Sequence, residues 1–231
     1  TKINSVYLGK KNYLIQSFTE ASEEETSAKI NAINSFFNEH SNLNTNIMLV
    51  PTATKVLEEY LPPFSVNDDE LAFIDKVFSE LNESIIKINP YNALYENKDN
   101  YVYYKTDHHW NYKGSYLAYT QLVKILTNDE PLKYKDKVCL NNNFSGSKAN
   151  FSGATHFYKE EFCAYEFKFP NYDIYINGEK SDYGNQEYHI NNPKKDVSYG
   201  SFYGYDDGEI IFDNHDNSKE NILIVGESYD N

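Results

Sequence analysis

The sequence predicts an α/β fold in which a parallel sheet is covered by helices and interrupted by a β-rich insertion. Two short apolar runs, Asn46-Ile47-Met48-Leu49-Val50-Pro51 and Ser84-Ile85-Ile86-Lys87-Ile88-Asn89-Pro90, are each ended by proline, as suits buried parallel strands. Segments with helical spacing lie beside them, so the first ninety residues alternate strand and helix. From residue 133 to about 205 the texture changes to short aromatic stretches between Asn, Gly and Ser clusters.

Taken in order, residues 6–15 read as two short strands around a Gly-Lys-Lys-Asn turn. Residues 22–39 read as a helix, with Ile30, Ile33, Phe36 and Phe37 on one face and Glu23, Glu24 and Glu25 at the end where the dipole favours them. The run at 46–51 is the first core strand, and a helix follows at 54–60. Asn67-Asp68-Asp69 caps the next helix, whose apolar stripe is Leu71, Ile74, Val77, Phe78 and Leu81. After the strand at 84–90, residues 101–105 form a strand that runs into Thr106-Asp107-His108-His109-Trp110. A helix spans 112–127, with Leu117, Ala118, Leu122, Ile125 and Leu126 inward. Residues 221–226 are again a buried-strand run, ending in Glu227-Ser228-Tyr229-Asp230-Asn231. The expected division is an α/β core at 1–132, a β-rich insertion at 133–205, and a return to the core at 206–231.

The 231 residues suffice for one sizeable domain, and 40% hydrophobic content is that of a folded chain. A formal charge of -14 argues against nucleic acid and against an anionic membrane surface, and leaves room for polysaccharide. The 22 tyrosines have two readings, codon bias in an AT-rich genome or exposed rings that stack on sugars. Cys139 and Cys163 allow one disulfide or two free thiols, and no zinc spacing is present. A bridge closing so short a loop gains about 3 kcal/mol. No apolar run approaches the roughly 20 residues of a membrane span. The chain starts at Thr1 without methionine, as after removal of an upstream export signal or anchor.

Two short segments can carry chemistry. In an extended segment residues i and i+2 share a face, so Asp107 lies beside His109 with His108 opposite. A carboxylate beside an imidazole fixes one tautomer and stabilises the imidazolium formed on proton transfer, which makes His109 a general base and Asp107 its orienter. At the other end a buried strand followed by Gly226-Glu227-Ser228 is the setting for an exposed nucleophile on a tight turn. Each match is common by chance; together, at the carboxyl ends of strands in one parallel sheet, one supplies a base and its orienter and the other a nucleophile.

The residues resemble a known group. Tyr104-Lys105-Thr106-Asp107-His108-His109-Trp110-Asn111-Tyr112-Lys113-Gly114-Ser115 resembles the defining motif of the DHHW protein family, and is similar to the corresponding segment of alginate and peptidoglycan O-acetyltransferase proteins with SGNH-hydrolase-like folds. Gly226-Glu227-Ser228-Tyr229 resembles their nucleophile block, with Glu227 where aspartate is usual. The opening hairpin at 6–14 and Leu49-Val50-Pro51-Thr52 with Leu61-Pro62 are supporting similarities. The resemblance implies an SGNH-like three-layer parallel sheet and a triad of Asp107, His109 and Ser228. It implies acetyl transfer to, or ester hydrolysis on, a cell-envelope polysaccharide outside the cytoplasm, with a membrane-bound acyltransferase as partner. The chain ends three residues after Ser228, so the helix expected to follow the nucleophile is missing and the core reads as truncated.

His108, Trp110 and Tyr229 are the expected walls of the binding site, with core packing as the other reading of Trp110. No cofactor and no metal are expected, because His108, His156, His189 and His215 match no ligand spacing and the further aspartate motifs of DHH phosphoesterases are missing. The loop Asn141-Asn142-Asn143-Phe144-Ser145-Gly146-Ser147 reads as a turn cluster, with Ser and Asn side chains lining a sugar groove as the other reading. The rival function is a non-catalytic carbohydrate-binding or scaffold protein of the same fold.

Overall fold

The computed structural model describes residues 2–127, 129–156, 158–181, 190–191, 197–204, 208–216, 221–227 and 229. Strands β1 (Lys2–Ile3), β2 (Val6–Leu8) and β3 (Leu14–Gln16) form an antiparallel sheet, with Tyr7 opposite Ile15. Helix α1 (Glu23–Glu39) starts where expected because Ser22 accepts from the Glu25 N–H while the Glu25 carboxylate reaches back to Ser22, a complete capping box. Strand β4 (Asn46–Met48) leads to α2 (Ala53–Val56), and a 3-10 turn at Glu58–Tyr60 completes the segment expected as one helix. Asp69 caps α3 (Glu70–Glu80) by accepting from the N–H groups of Leu71 and Ala72. Strand β5 (Ile86–Ile88) pairs in parallel with β4, Met48 opposite Ile88. Helices α4 (Tyr91–Glu96) and α5 (Tyr112–Leu126) follow, and Asn111 caps α5 through Lys113 and Gly114.

Beyond residue 133 the pairing among the described strands is antiparallel. Strand β6 (Asp136–Phe144) and β7 (Glu160–Glu166) form an antiparallel pair around α6 (Ser147–Ser152). Cys139 and Cys163 face each other in that register and are joined by a disulfide, which settles the two readings of the cysteines. Strands β8 (Asp173–Ile176), β9 (Glu179–Lys180) and β10 (Ile210–Asp213) form a further antiparallel sheet, and α7 (Tyr199–Tyr203) packs near the β6–β7 pair.

Three expectations are corrected. Parallel pairing among the described residues is confined to β4 and β5, where the sequence pattern predicts a broad parallel sheet. The run at 221–226 forms no strand, and Ile222, Leu223, Ile224 and Val225 are 65–88% exposed. An apolar run becomes a core strand only where a sheet edge and covering helices receive it, and no described element does so here. In α5, Ile125 and Leu126 stand at the exposed end of the helix while Ala118 is buried.

Two aromatic-rich cores meet at the segment 101–112. The larger contains Tyr13, Ile15, Val56, Leu57, Leu94, Val102, Tyr103 and Trp110. The second contains Tyr104, Phe144, Phe162, Tyr199 and Phe202. Adjacent residues Tyr103 and Tyr104 thus anchor opposite cores and pin the backbone between them.

Candidate active site

The strand expected at 101–105 is instead one arm of a tight excursion. The chain doubles back so that Tyr103 bridges Trp110, the Asn111 N–H donates to the Val102 carbonyl at 3.0 Å, and the Tyr104 N–H to the His109 carbonyl at 3.3 Å. Asp107 sits at the tip. Its Oδ1 accepts from the His109 N–H at 3.1 Å and lies 2.6 Å from His109 Nδ1. The pair therefore forms, but through an aspartate-centred turn rather than through strand periodicity. The short carboxylate offers its own chain a local acceptor that competes with a ladder.

Several neighbours hold this tip. Leu14 of β3 donates its N–H to the Lys105 carbonyl at 2.8 Å. Glu160, the first residue of β7, accepts from the Lys105 N–H at 2.8 Å, the Thr106 N–H at 2.6 Å, the Thr106 hydroxyl and the Tyr101 hydroxyl. The Gly146 N–H donates to Thr106 Oγ1 at 2.9 Å, and the Ala149 N–H to the Thr106 carbonyl at 3.1 Å. The Ser147 N–H donates to Asp107 Oδ2 at 2.8 Å. Glycine is required at 146 by close approach, since a Cβ there would lie 2.3 Å from the Asp107 Cβ.

Asp107 and His109 are each 5% exposed. Burial pushes the Asp107 carboxyl upward, but the hydrogen bonds from His109 and from the Ser147 N–H oppose it, and Asp107 is held well below the usual carboxylate range. An ionised Asp107 keeps a proton on His109 Nδ1, which leaves the basic lone pair on Nε2. The His109 ring is sandwiched. Tyr199 of α7 stacks on it at 3.7 Å between centroids and 2° between planes, and His108 lies 3.8 Å away at 37°. Two faces and one edge are thus immobilised, which is what a positioned proton acceptor needs.

His108 shares a 2.6 Å hydrogen bond between Nδ1 and Ser147 Oγ. Burial and the neighbouring His109 push its pKa down to about 4 against the pull of Asp107, so it is neutral at physiological pH. Tyr229 donates its hydroxyl to the His108 carbonyl, and its ring lies 5.1 Å from His109 and 5.4 Å from Trp110. Trp110 is 5% exposed and belongs to the larger core, so it forms the floor beneath Tyr229 rather than a solvent-facing wall. Ser228 and His189 lie outside the described residues. His156 is exposed, and His215 pairs with Asp173 and Asp213 on the surface.

Asp107, His108 and His109 gather possible ligand atoms within 4.8 Å of one another. The Nδ1 atoms of both rings are directed to protein partners, Ser147 Oγ and Asp107 Oδ1, so this edge serves hydrogen bonding. Sequence reasoning missed Glu160, Lys148 and Tyr199, and did not connect the loop residues Gly146 and Ser147 with Asp107. No spacing joins them to residue 107, since 39 to 54 residues of sequence separate what three hydrogen bonds bring together.

An aspartate and a histidine joined at 2.6 Å are thus carried at a tip of this α/β scaffold. Residues 7–160 match the family described as the SGNH hydrolase-like domain of the acetyltransferase AlgX, and the chain belongs to that family. Solved structures share the fold. Bacillus cereus PatB1 is 21% identical over 94% of this chain and 77% of its own, with a TM-score of 0.70. A DHHW family protein from Eubacterium siraeum is 20% identical over 91% and 71%, with a TM-score of 0.66. The O-acetyltransferase domain of Pseudomonas putida AlgJ is 17% identical over 70% and 63%, with a TM-score of 0.51. No curated protein matches the sequence. No helix among the described residues is long and apolar enough to cross a membrane.

Proposed function

We propose that the protein transfers or hydrolyses acetyl esters on an extracytoplasmic polysaccharide, with Ser228 as nucleophile, His109 as general base and Asp107 as its orienter. One observation carries the reading. The ring of Tyr229 lies 5.1 Å from that of His109, which supports the reading because Ser228 directly precedes Tyr229 in the sequence. In the reaction Ser228 Oγ attacks the acetyl carbonyl while His109 Nε2 takes the hydroxyl proton. The tetrahedral intermediate expels the donor alcohol, which recovers that proton. The acetyl-enzyme then passes its acyl group to a sugar hydroxyl or to water. His108 and Tyr229, over Trp110, border the acyl site.

The core at 1–132 carries the acid–base pair, the insertion at 133–205 steadies it, and 206–231 brings the nucleophile. A membrane-bound acyltransferase supplies the acetyl group. The Cys139–Cys163 disulfide supports an oxidising, extracytoplasmic setting.

The test is release of p-nitrophenol from p-nitrophenyl acetate. Ser228→Ala and His109→Ala should each lower kcat at least about 100-fold, and Asp107→Asn roughly 1,000-fold or more by imposing the wrong tautomer. Undiminished turnover in Ser228→Ala removes the triad.

A further inference from the structure

On the outer side of the 101–112 segment, a cleft of about 160 Å³ lies between α5, the chain leading into β6, and β7. Its aromatic wall is ordered. Tyr134 and Tyr165 stack at 3.8 Å with 10° between planes, and Tyr116 meets them edge-on at 5.3 and 5.4 Å. Tyr134 remains 43% exposed, so ring surface is available although one face is spent on Tyr165. The polar wall is also preorganised. The Lys113 ammonium donates to the Asn100 carbonyl at 2.9 Å, and the Asn100 amide to Asn97 Oδ1 at 3.2 Å. Among the described residues no Asp or Glu lines the cleft, although the chain carries 35 of them.

We propose that this cleft is a saccharide subsite that holds one pyranose ring of a neutral glycan against Tyr134. The ring hydrogens of a pyranose face are weakly positive and complement the negative face of a tyrosine ring. Asparagine amides both donate and accept, which matches vicinal hydroxyls, and the lysine adds a donor without a repelling carboxylate. The volume lies below the roughly 300 Å³ at which pockets for drug-sized ligands begin, so the cleft takes one ring and leaves the rest of the chain outside. The inference rests on the polysaccharide reading of the active site and adds a second contact for the same polymer, on the helix that begins two residues after Trp110.

The experiment titrates the protein with chitotetraose and with cellotetraose, by calorimetry and by saturation-transfer NMR. Tyr134→Phe keeps the flat ring and should keep the Kd. Tyr134→Leu keeps apolar bulk without a stacking face and should weaken binding roughly tenfold. An unchanged thermal transition shows that each variant is folded, and Asn100→Ala, at an exposed rim position, gives a second variant in which weakened binding is expected. Failure of both sugars to bind at millimolar concentration, or equal Kd values in wild type, Tyr134→Leu and Asn100→Ala, overturns the subsite. Binding is measured without turnover, so this result stands apart from the fate of the esterase triad.

Discussion

Replacing Lys148 by methionine should stabilise the protein near neutral pH. Lys148 is 1% exposed on α6, and its ammonium has the Tyr104 carbonyl at a long 3.5 Å as its neighbour. Burial pushes its pKa from 10.5 down to about 8, against the opposing charges of Asp107 and Glu160. At about 1.4 kcal/mol per pKa unit, the charged form is disfavoured in the folded protein by about 3 kcal/mol. Below pH 8 the lysine is protonated in both states, so the folded protein bears that whole cost. Between pH 8 and 10.5 the unfolded chain binds more protons than the folded one, so this contribution to stability rises with pH. Methionine has nearly the same volume and carries no charge, so Lys148→Met should gain about 2–3 kcal/mol at pH 7. The advantage should shrink as pH rises from 8 to 9.5. Urea unfolding followed by the fluorescence of the single tryptophan measures both, because Trp110 is buried in the larger core. A variant that is less stable at pH 7, or a difference that does not change with pH, would refute the reasoning and mean that the ammonium is fully paired.

Glu160→Gln sets an amide N–H₂ against donors that now face a carboxylate, which should cost about 2–3 kcal/mol in urea unfolding. The same change should lower kcat for p-nitrophenyl acetate with KM held, because it loosens the tip that carries Asp107. A loss below about 0.5 kcal/mol would show that the four donors find other partners. The Tyr104 hydroxyl is buried without a hydrogen-bond partner among the described residues, so Tyr104→Phe should raise the thermal transition, by about 1 kcal/mol of stability. Replacing Cys139 and Cys163 by serine opens a bridge between residues 24 apart and should cost about 3 kcal/mol, read as a lower urea midpoint.

Helix boundaries were legible in the sequence because their causes are local. Ser22, Asp69 and Asn111 cap their helices through N–H groups two or three residues away, and each helix starts where its cap predicts. The Asp107–His109 pair was legible for the same reason, since two residues separate them. The geometry joining them was not, because periodicity describes a strand only if a neighbour completes its ladder. That condition failed again at 222–225, where an apolar run reads as core yet lies exposed.

The sequence alone determined the family, the starts of α1, α3 and α5 and the pairing of Asp107 with His109, and the starts and the pair rest on contacts within a few residues along the chain. Tertiary structure alone decided what holds that pair. Glu160, Gly146, Ser147 and Tyr199 reach the tip from the β-rich region, and folding brings them within hydrogen-bonding or stacking distance of residues 106–109. Their side chains carry no motif of their own. A carboxylate that accepts four hydrogen bonds and a glycine that leaves room for an aspartate become functional only through the surfaces they meet.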